Sequence, residues 1–124
     1  MLIETERNET ASLDTLIGDE DDVAIAALTA AELMIGVELA SDEHRDHRSA
    51  FVDAVLGVVS IEHYDLAVAR SHASLLAHTR RIGGPRGAHD LIIAATARAR
   101  KRTVVTADRD GFEDLPAVSV RSRR

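Results

Sequence analysis

At 124 residues and 45% hydrophobic, the chain can bury one core and not two, which sets multi-domain readings aside. Charged residues make up 29% and are spread throughout, so no apolar run approaches the roughly eighteen residues of a membrane span, and the acidic, polar opening does not make a signal peptide. The absence of cysteine excludes a disulfide scaffold, a thiolate zinc site and a cysteine nucleophile, and the three aromatics, Phe51, Tyr64 and Phe112, are too few for stacking bases on exposed rings. Together these features point to a cytoplasmic protein.

In chain order, Glu4 to Ile17 reads as a helix, ended by Gly18 and the acidic run Asp19 to Asp22. The three apolar residues before it, Met1-Leu2-Ile3, are too few for a strand. Val23 to Leu28 fits a buried strand feeding a helix that runs to about Ala40, with Leu33, Gly36, Val37 and Ala40 on one face. A second helix runs from about Asp42 to Gly57 with Phe51 and Val55 toward the core. Val58 to Ile61 is β-branched and short, hence a strand. Leu66, Ala69, Ala73 and Leu76 restore helical spacing until Gly83-Gly84-Pro85 stops it. Asp90 to Arg100 is apolar on most sides and so marks a helix in the middle of the molecule. Thr103 to Thr106 is a strand, 107–116 a loop, and Ala117 to Val120 a last strand. Strands separated by helices imply an α/β fold, a parallel sheet with helices on both faces.

Charge divides the chain. Residues 1–65 carry 16 Asp and Glu against 3 Arg, whereas residues 66–124 carry 5 acids against 12 Arg and Lys. A basic half suits a face that meets a polyanion, or it reflects solvated helix faces that segregate by sign.

Ligands of an open parallel sheet bind beyond the carboxyl ends of its strands. Three such places hold acids: Glu32 after the strand ending at Leu28, Asp108 just past Thr106, and Asp90 at the head of the central helix. Each has a local alternative: a capping box for Thr29-Ala-Ala-Glu32, an N-cap for Asp90, an Asx-turn for Asp108. If the three do meet, two carboxylates ~4 Å apart repel by about 4 kcal/mol at an effective dielectric near ~20, so a proton or cation must hold them. Oxygen donors without His or Cys favour Mg²⁺ or Mn²⁺, an ion that aligns water against a phosphodiester. Arg80, Arg81, Arg86, Arg98, Arg100, Lys101 and Arg102 are candidates to hold the polyanion.

The segments Leu2 to Arg7, Thr29 to Gly36, Ala88 to Ala97 and Val104 to Phe112 resemble the PIN-domain ribonucleases, and among them the VapC toxins of bacterial toxin–antitoxin pairs. The resemblance implies a three-layer PIN-like domain over residues 1–124 that acts as a Mg²⁺-dependent endoribonuclease, with a cognate antitoxin as partner and a homodimer as assembly. It makes Glu32, Asp90 and Asp108 the metal and catalytic acids, Asp110 an auxiliary acid, and Thr106 a hydroxyl lining the substrate site. The family opens with a strand ending in a first acid just before the Leu-Ile pair. That likeness implies a chain lacking both, of poor stability and little activity, or a catalytically impaired module that binds an antitoxin or an intact subunit.

Other motifs fall short. Asp108-Arg109-Asp110-Gly111 resembles the nucleophile motif of haloacid-dehalogenase-like phosphatases, but only 13 residues follow Gly111. An EF-hand would need a Glu at the twelfth loop place, where Ser119 stands. His44 and His47 lie three apart on a helix without further ligands and read as a surface pair. His89 adjoins Asp90, which reads first as a neighbour in a loop and second as a group that touches the site or a phosphate.

Overall fold

The computed structural model describes residues 1–3 and 23–122. The expected first helix and the acidic run after it lie outside the described residues. A five-stranded sheet contains β1 (Leu2–Ile3), β2 (Ala24–Ala26), β3 (Ser60–Glu62), β4 (Val104–Thr106) and β5 (Val120–Ser122). The order is β3-β2-β1-β4-β5 and every neighbouring pair is parallel. The helices are α1 (Ala27–Glu38), α2 (Asp42–Val58), α3 (Leu66–Ile82) and α4 (Ala88–Ala99), with a 3₁₀ turn at Arg109–Gly111.

The expected lack of the first strand is corrected: Leu2–Ile3, read from the sequence as too short for a strand, is β1 and lies in the middle of the sheet. Three residues carry no periodicity, yet β2 and β4 need a partner for their inner edges. Leu2 N–H donates to the Thr103 carbonyl and Ala24 N–H donates to the Met1 carbonyl, both at 2.8 Å. Leu2 is completely buried.

Alternation along β2 builds the three layers. Ala24 and Ala26 join Leu2, Val68, Leu75, Val104, Phe112 and the apolar residues of α4 in one cluster. Val23 and Ile25 face the other way, toward Ala30, Val55 and Val59. Hence α3 and α4 cover one face and α1 and α2 the other, as a two-residue side-chain period requires. The middle position of α4 is confirmed by its six buried residues, Leu91, Ile93, Ala94, Ala95, Thr96 and Ala97.

Two helix starts differ from the sequence reading. Ala26, in extended conformation, caps α1 with no side-chain bond, so β2 passes into helix without a linker and Thr29 falls inside it. No capping box forms, and the Thr29 hydroxyl is buried without a partner. Similarly α4 starts at Ala88 after Gly87, which puts Asp90 in the first turn and not at the cap. There a carboxylate still faces the positive end of the helix dipole.

The inward face of α3 is also displaced. Val68, Leu75 and Thr79 are buried, whereas Leu66 is 64% exposed. Asp65 caps the helix by accepting from Val68 N–H at 3.1 Å. Gly83 ends it in the left-handed conformation at φ 67°, and Gly84 N–H closes on the Thr79 carbonyl. The start of α3 is bound to the end of α4 by ions. Arg100 reaches Glu62 at 2.8 Å and Asp65 at 2.9 Å, and Arg102 reaches Glu62 at 3.0 Å. Among the described residues no helix is long and apolar enough to cross a membrane.

Candidate active site

Each acid is delivered by a different element. Glu32 lies on α1, which grows directly out of β2. Asp90 lies in the first turn of α4. Asp108 caps the 3₁₀ turn that follows β4, and its side chain makes no cap hydrogen bond. Thr106 shapes that turn: its buried Oγ1 accepts from the Asp108 N–H at 3.0 Å and donates to the Asp108 carbonyl at 3.3 Å. In place of the Asx-turn that was the local alternative for Asp108, the turn is built on the Thr106 hydroxyl, and the Asp108 residue stays exposed.

Electrostatics link the three acids in sequence. Burial raises the pKa of Asp90, and the nearby charge of Asp108 raises it further, while His89 lowers it. Burial likewise raises the pKa of Glu32, against a lowering by His89, and the charge of Asp90 adds to the rise. Asp90 is therefore the middle member, acted on by Asp108 and acting on Glu32. His89 Nδ1 stands 3.5 Å from Glu32 Oε1, spanning the gap between α1 and α4. Asp110 is exposed in the 3₁₀ turn.

Gly111 was not singled out by its sequence context. A Cβ at this position would stand 2.5 Å from Asp90 Oδ2, 3.2 Å from Asp90 Cγ and 3.8 Å from Asp108 Oδ2. The two carboxylates therefore flank one point, and only a residue without a side chain leaves it open. The signal in the sequence is a glycine three residues past the acid, but its partner Asp90 lies 21 positions away and no local rule connects them.

Among the described residues, no three His, Asp or Glu side chains are gathered tightly enough to hold a metal ion as they stand. Glu32, Asp90 and Asp108 share one rim and interact through space without forming a closed ligand set.

The basic half divides on inspection. Arg100 and Arg102 are engaged with Glu62, Arg98 donates to Ser74 Oγ, and Arg86 donates to the carbonyls of Gly84 and Glu113. Arg80, Arg81 and Lys101 remain exposed. A cleft of about 550 Å³ includes Lys101, Arg102 and Arg121 with Met1 and Thr103, which precede β1 and β4. Glu62 and Arg100 complete its lining, and Glu32, Asp90 and Asp108 are not among the residues that line it.

A comparison with family models matches residues 1–118 to the PIN domain. The chain belongs to the PIN-domain family. Solved structures agree with this PIN domain in fold. VapBC2 from Rickettsia felis, bound to a DNA fragment from its promoter, gives a TM-score of 0.81 at 21% identity, covering 98% of this chain and 96% of that one. FitAcB from Neisseria gonorrhoeae gives 0.80 at 28% identity, covering 99% and 98%. VapBC-5 from Mycobacterium tuberculosis, a member of the VapBC family of toxin–antitoxin systems, gives 0.71 at 28% identity, covering 98% and 94%. No curated protein matches the chain. PIN domains are generally nucleases, and a rim of interacting carboxylates is consistent with that chemistry.

Proposed function

We propose that this PIN domain is the toxin of a toxin–antitoxin pair, a Mg²⁺-dependent endoribonuclease that hydrolyses RNA phosphodiesters in the cytoplasm, is neutralised by a cognate antitoxin and assembles as a homodimer. The observation that carries the reading is the setting of Asp90. It is partly buried, shares electrostatic interaction with Glu32 and Asp108, and faces a point kept free by Gly111. Support for the antitoxin comes from the similar structures, which are toxin–antitoxin complexes.

The donor set fits a hard divalent ion. Carboxylate oxygens are the ligands Mg²⁺ and Mn²⁺ take, and the raised pKa values of Asp90 and Glu32 mark groups that gain from a neighbouring positive charge. Glu32, Asp90 and Asp108 would hold the ion, with Asp110 as an auxiliary acid near substrate. When bound, such an ion supplies Lewis-acid stabilisation of charge on phosphate oxygens and activates water. Thr106, expected to line the substrate site, is instead completely buried, and holds the Asp108 turn in shape through its hydroxyl. His89 orients Glu32 and stands close enough to the rim to donate to a phosphate oxygen. The exposed Arg80 and Arg81 are candidates to meet RNA.

A second reading is a catalytically impaired module that binds an antitoxin or an intact subunit. One experiment separates the two. Purified protein and its Asp90→Asn variant are incubated with single-stranded RNA, with Mg²⁺ or with EDTA. The nuclease reading expects cleavage only by wild type with metal; no cleavage by either protein, with the fold intact, supports the interaction module.

A further inference from the structure

We infer that Arg86 is a positioning residue, whose guanidinium sets the spacing between the segment that carries Asp90 and the turn that carries Asp108 and Gly111. Its functional consequence rests on the carboxylate-site reading above. Arg86 stands in the short connection between α3 and α4, four residues before Asp90. Its Nη1 donates to the Gly84 carbonyl at 3.0 Å, within the same loop. Its Nη2 donates to the Glu113 carbonyl at 3.1 Å, 27 residues further along the chain.

Both ends of this bridge are continuous with an acid. Leu91 N–H donates to the Gly87 carbonyl at 3.0 Å, so the loop runs into α4 without slack and Asp90 follows its position. On the other side Glu113 N–H and Phe112 N–H donate to the Arg109 carbonyl at 2.8 and 2.9 Å. The Arg109 and Glu113 side chains also pair at 2.6 Å, and Phe112 is buried beneath. The Glu113 carbonyl is therefore a rigid part of the turn that begins at Asp108. A guanidinium joined to both holds the two rims at a fixed distance across the point above Gly111.

Stability alone gives a poor reason for this arginine. It is partly buried, its fork points at two carbonyls and not at a carboxylate, and its Nε is buried with no hydrogen-bond partner. A partly buried cation with an open N–H gains little stability over an apolar side chain of similar size. What the planar fork supplies, and neither an apolar side chain nor a lysine point charge can reproduce, is two directed bonds to two separate loops. The fit is close: a Cβ at Gly84 would lie 3.5 Å from Arg86 Nη1 and 3.2 Å from Ile82 Cδ1.

The test uses the whole chain as Arg86→Lys and Arg86→Gln, with three readouts: melting temperature in EDTA, amide hydrogen exchange of the metal-free protein, and calorimetric titration with Mn²⁺. The inference expects faster exchange confined to residues 84–91 and 108–113, with the remainder of the chain protected as in wild type. It further expects Mn²⁺ affinity reduced about tenfold, since a misplacement near 1 Å in a constellation of this kind is worth up to ~100-fold. Unchanged exchange in both segments, or a uniform loss of protection that tracks the melting temperature in both variants, overturns it. Should wild type itself bind no Mn²⁺, the metal reading fails, and the exchange pattern still decides whether Arg86 joins the two segments.

Discussion

Gly111→Ala isolates the geometry of the acids from the stability of the fold. Glycine here is not in a left-handed conformation, since among the described residues Gly83 is the glycine with positive φ. Alanine is therefore compatible with the backbone, and restricting the unfolded chain returns about 0.4–1 kcal/mol. Against this, the new methyl group would meet Asp90 Oδ2 at 2.5 Å, where carbon contacts ordinarily begin near ~3.5 Å. The Asp90 carboxylate has to retreat by about 1 Å, at a rotamer cost of about 0.5–1.5 kcal/mol. The two effects nearly cancel, so melting in EDTA should change little. Mn²⁺ affinity and RNA cleavage should fall by about tenfold to ~100-fold, because the displaced group is the middle one of the three acids. Thermal melts, calorimetry and a cleavage assay on the same preparation give all three numbers. A variant that retains wild-type metal affinity and cleavage, with the methyl group in place, would refute the opposition of Asp90 and Asp108 across this residue.

Three further outcomes are expected. Burial, and for Asp90 the charge of Asp108, hold the folded pKa values of Glu32 and Asp90 above their ordinary 4.5 and 3.8. Such groups weaken the metal-free native state at neutral pH, and the penalty is relieved as pH falls through the raised values. Asp90→Asn in EDTA should accordingly melt above wild type at pH 7 and lose that advantage toward acid pH, as read by calorimetry; an equal or lower melting point at pH 7 contradicts it. Leu2→Ala should cost about 2–5 kcal/mol in urea unfolding, as for any fully buried leucine, and a loss below ~1 kcal/mol would mean that residue 2 does not lie in the sheet. Glu62→Ala leaves the partly buried Arg100 and Arg102 without their shared carboxylate and should cost about 1–3 kcal/mol in the same assay, less than a fully buried pair because these side chains remain 16–22% exposed.

Elements with a strong local pattern were legible in the chain. Val23 to Leu28 and Thr103 to Thr106 are apolar, β-branched runs between polar residues, and both contain observed strands. The apolar girth of 90–100 announced the central helix, and Gly83 announced the end of α3. The central strand was not legible, because Leu2–Ile3 becomes a strand only through partners 22 and 102 residues away. The capping box at Thr29 was a local pattern overruled by the absence of any linker between β2 and α1. Leu66 has helical spacing with Ala69, Ala73 and Leu76, but the core face of α3 is Val68, Leu75 and Thr79, and Leu66 lies about 200° round the helix from Val68. Glu32 and Asp108 were candidates because they follow strands that can be read from the chain, and Asp90 because it opens the central helix. Gly111, the His89 to Glu32 contact and the Arg86 bridge could not, since each joins residues from different elements.

Whether Glu32, Asp90 and Asp108 come together around one divalent ion can be read from crystals grown with Mn²⁺ through anomalous scattering. A manganese peak is expected with oxygen atoms of these three side chains in its coordination shell, lost in Asp90→Asn crystals. Well-ordered crystals at millimolar Mn²⁺ with no peak at this rim, or with a peak held by other residues, would contradict it.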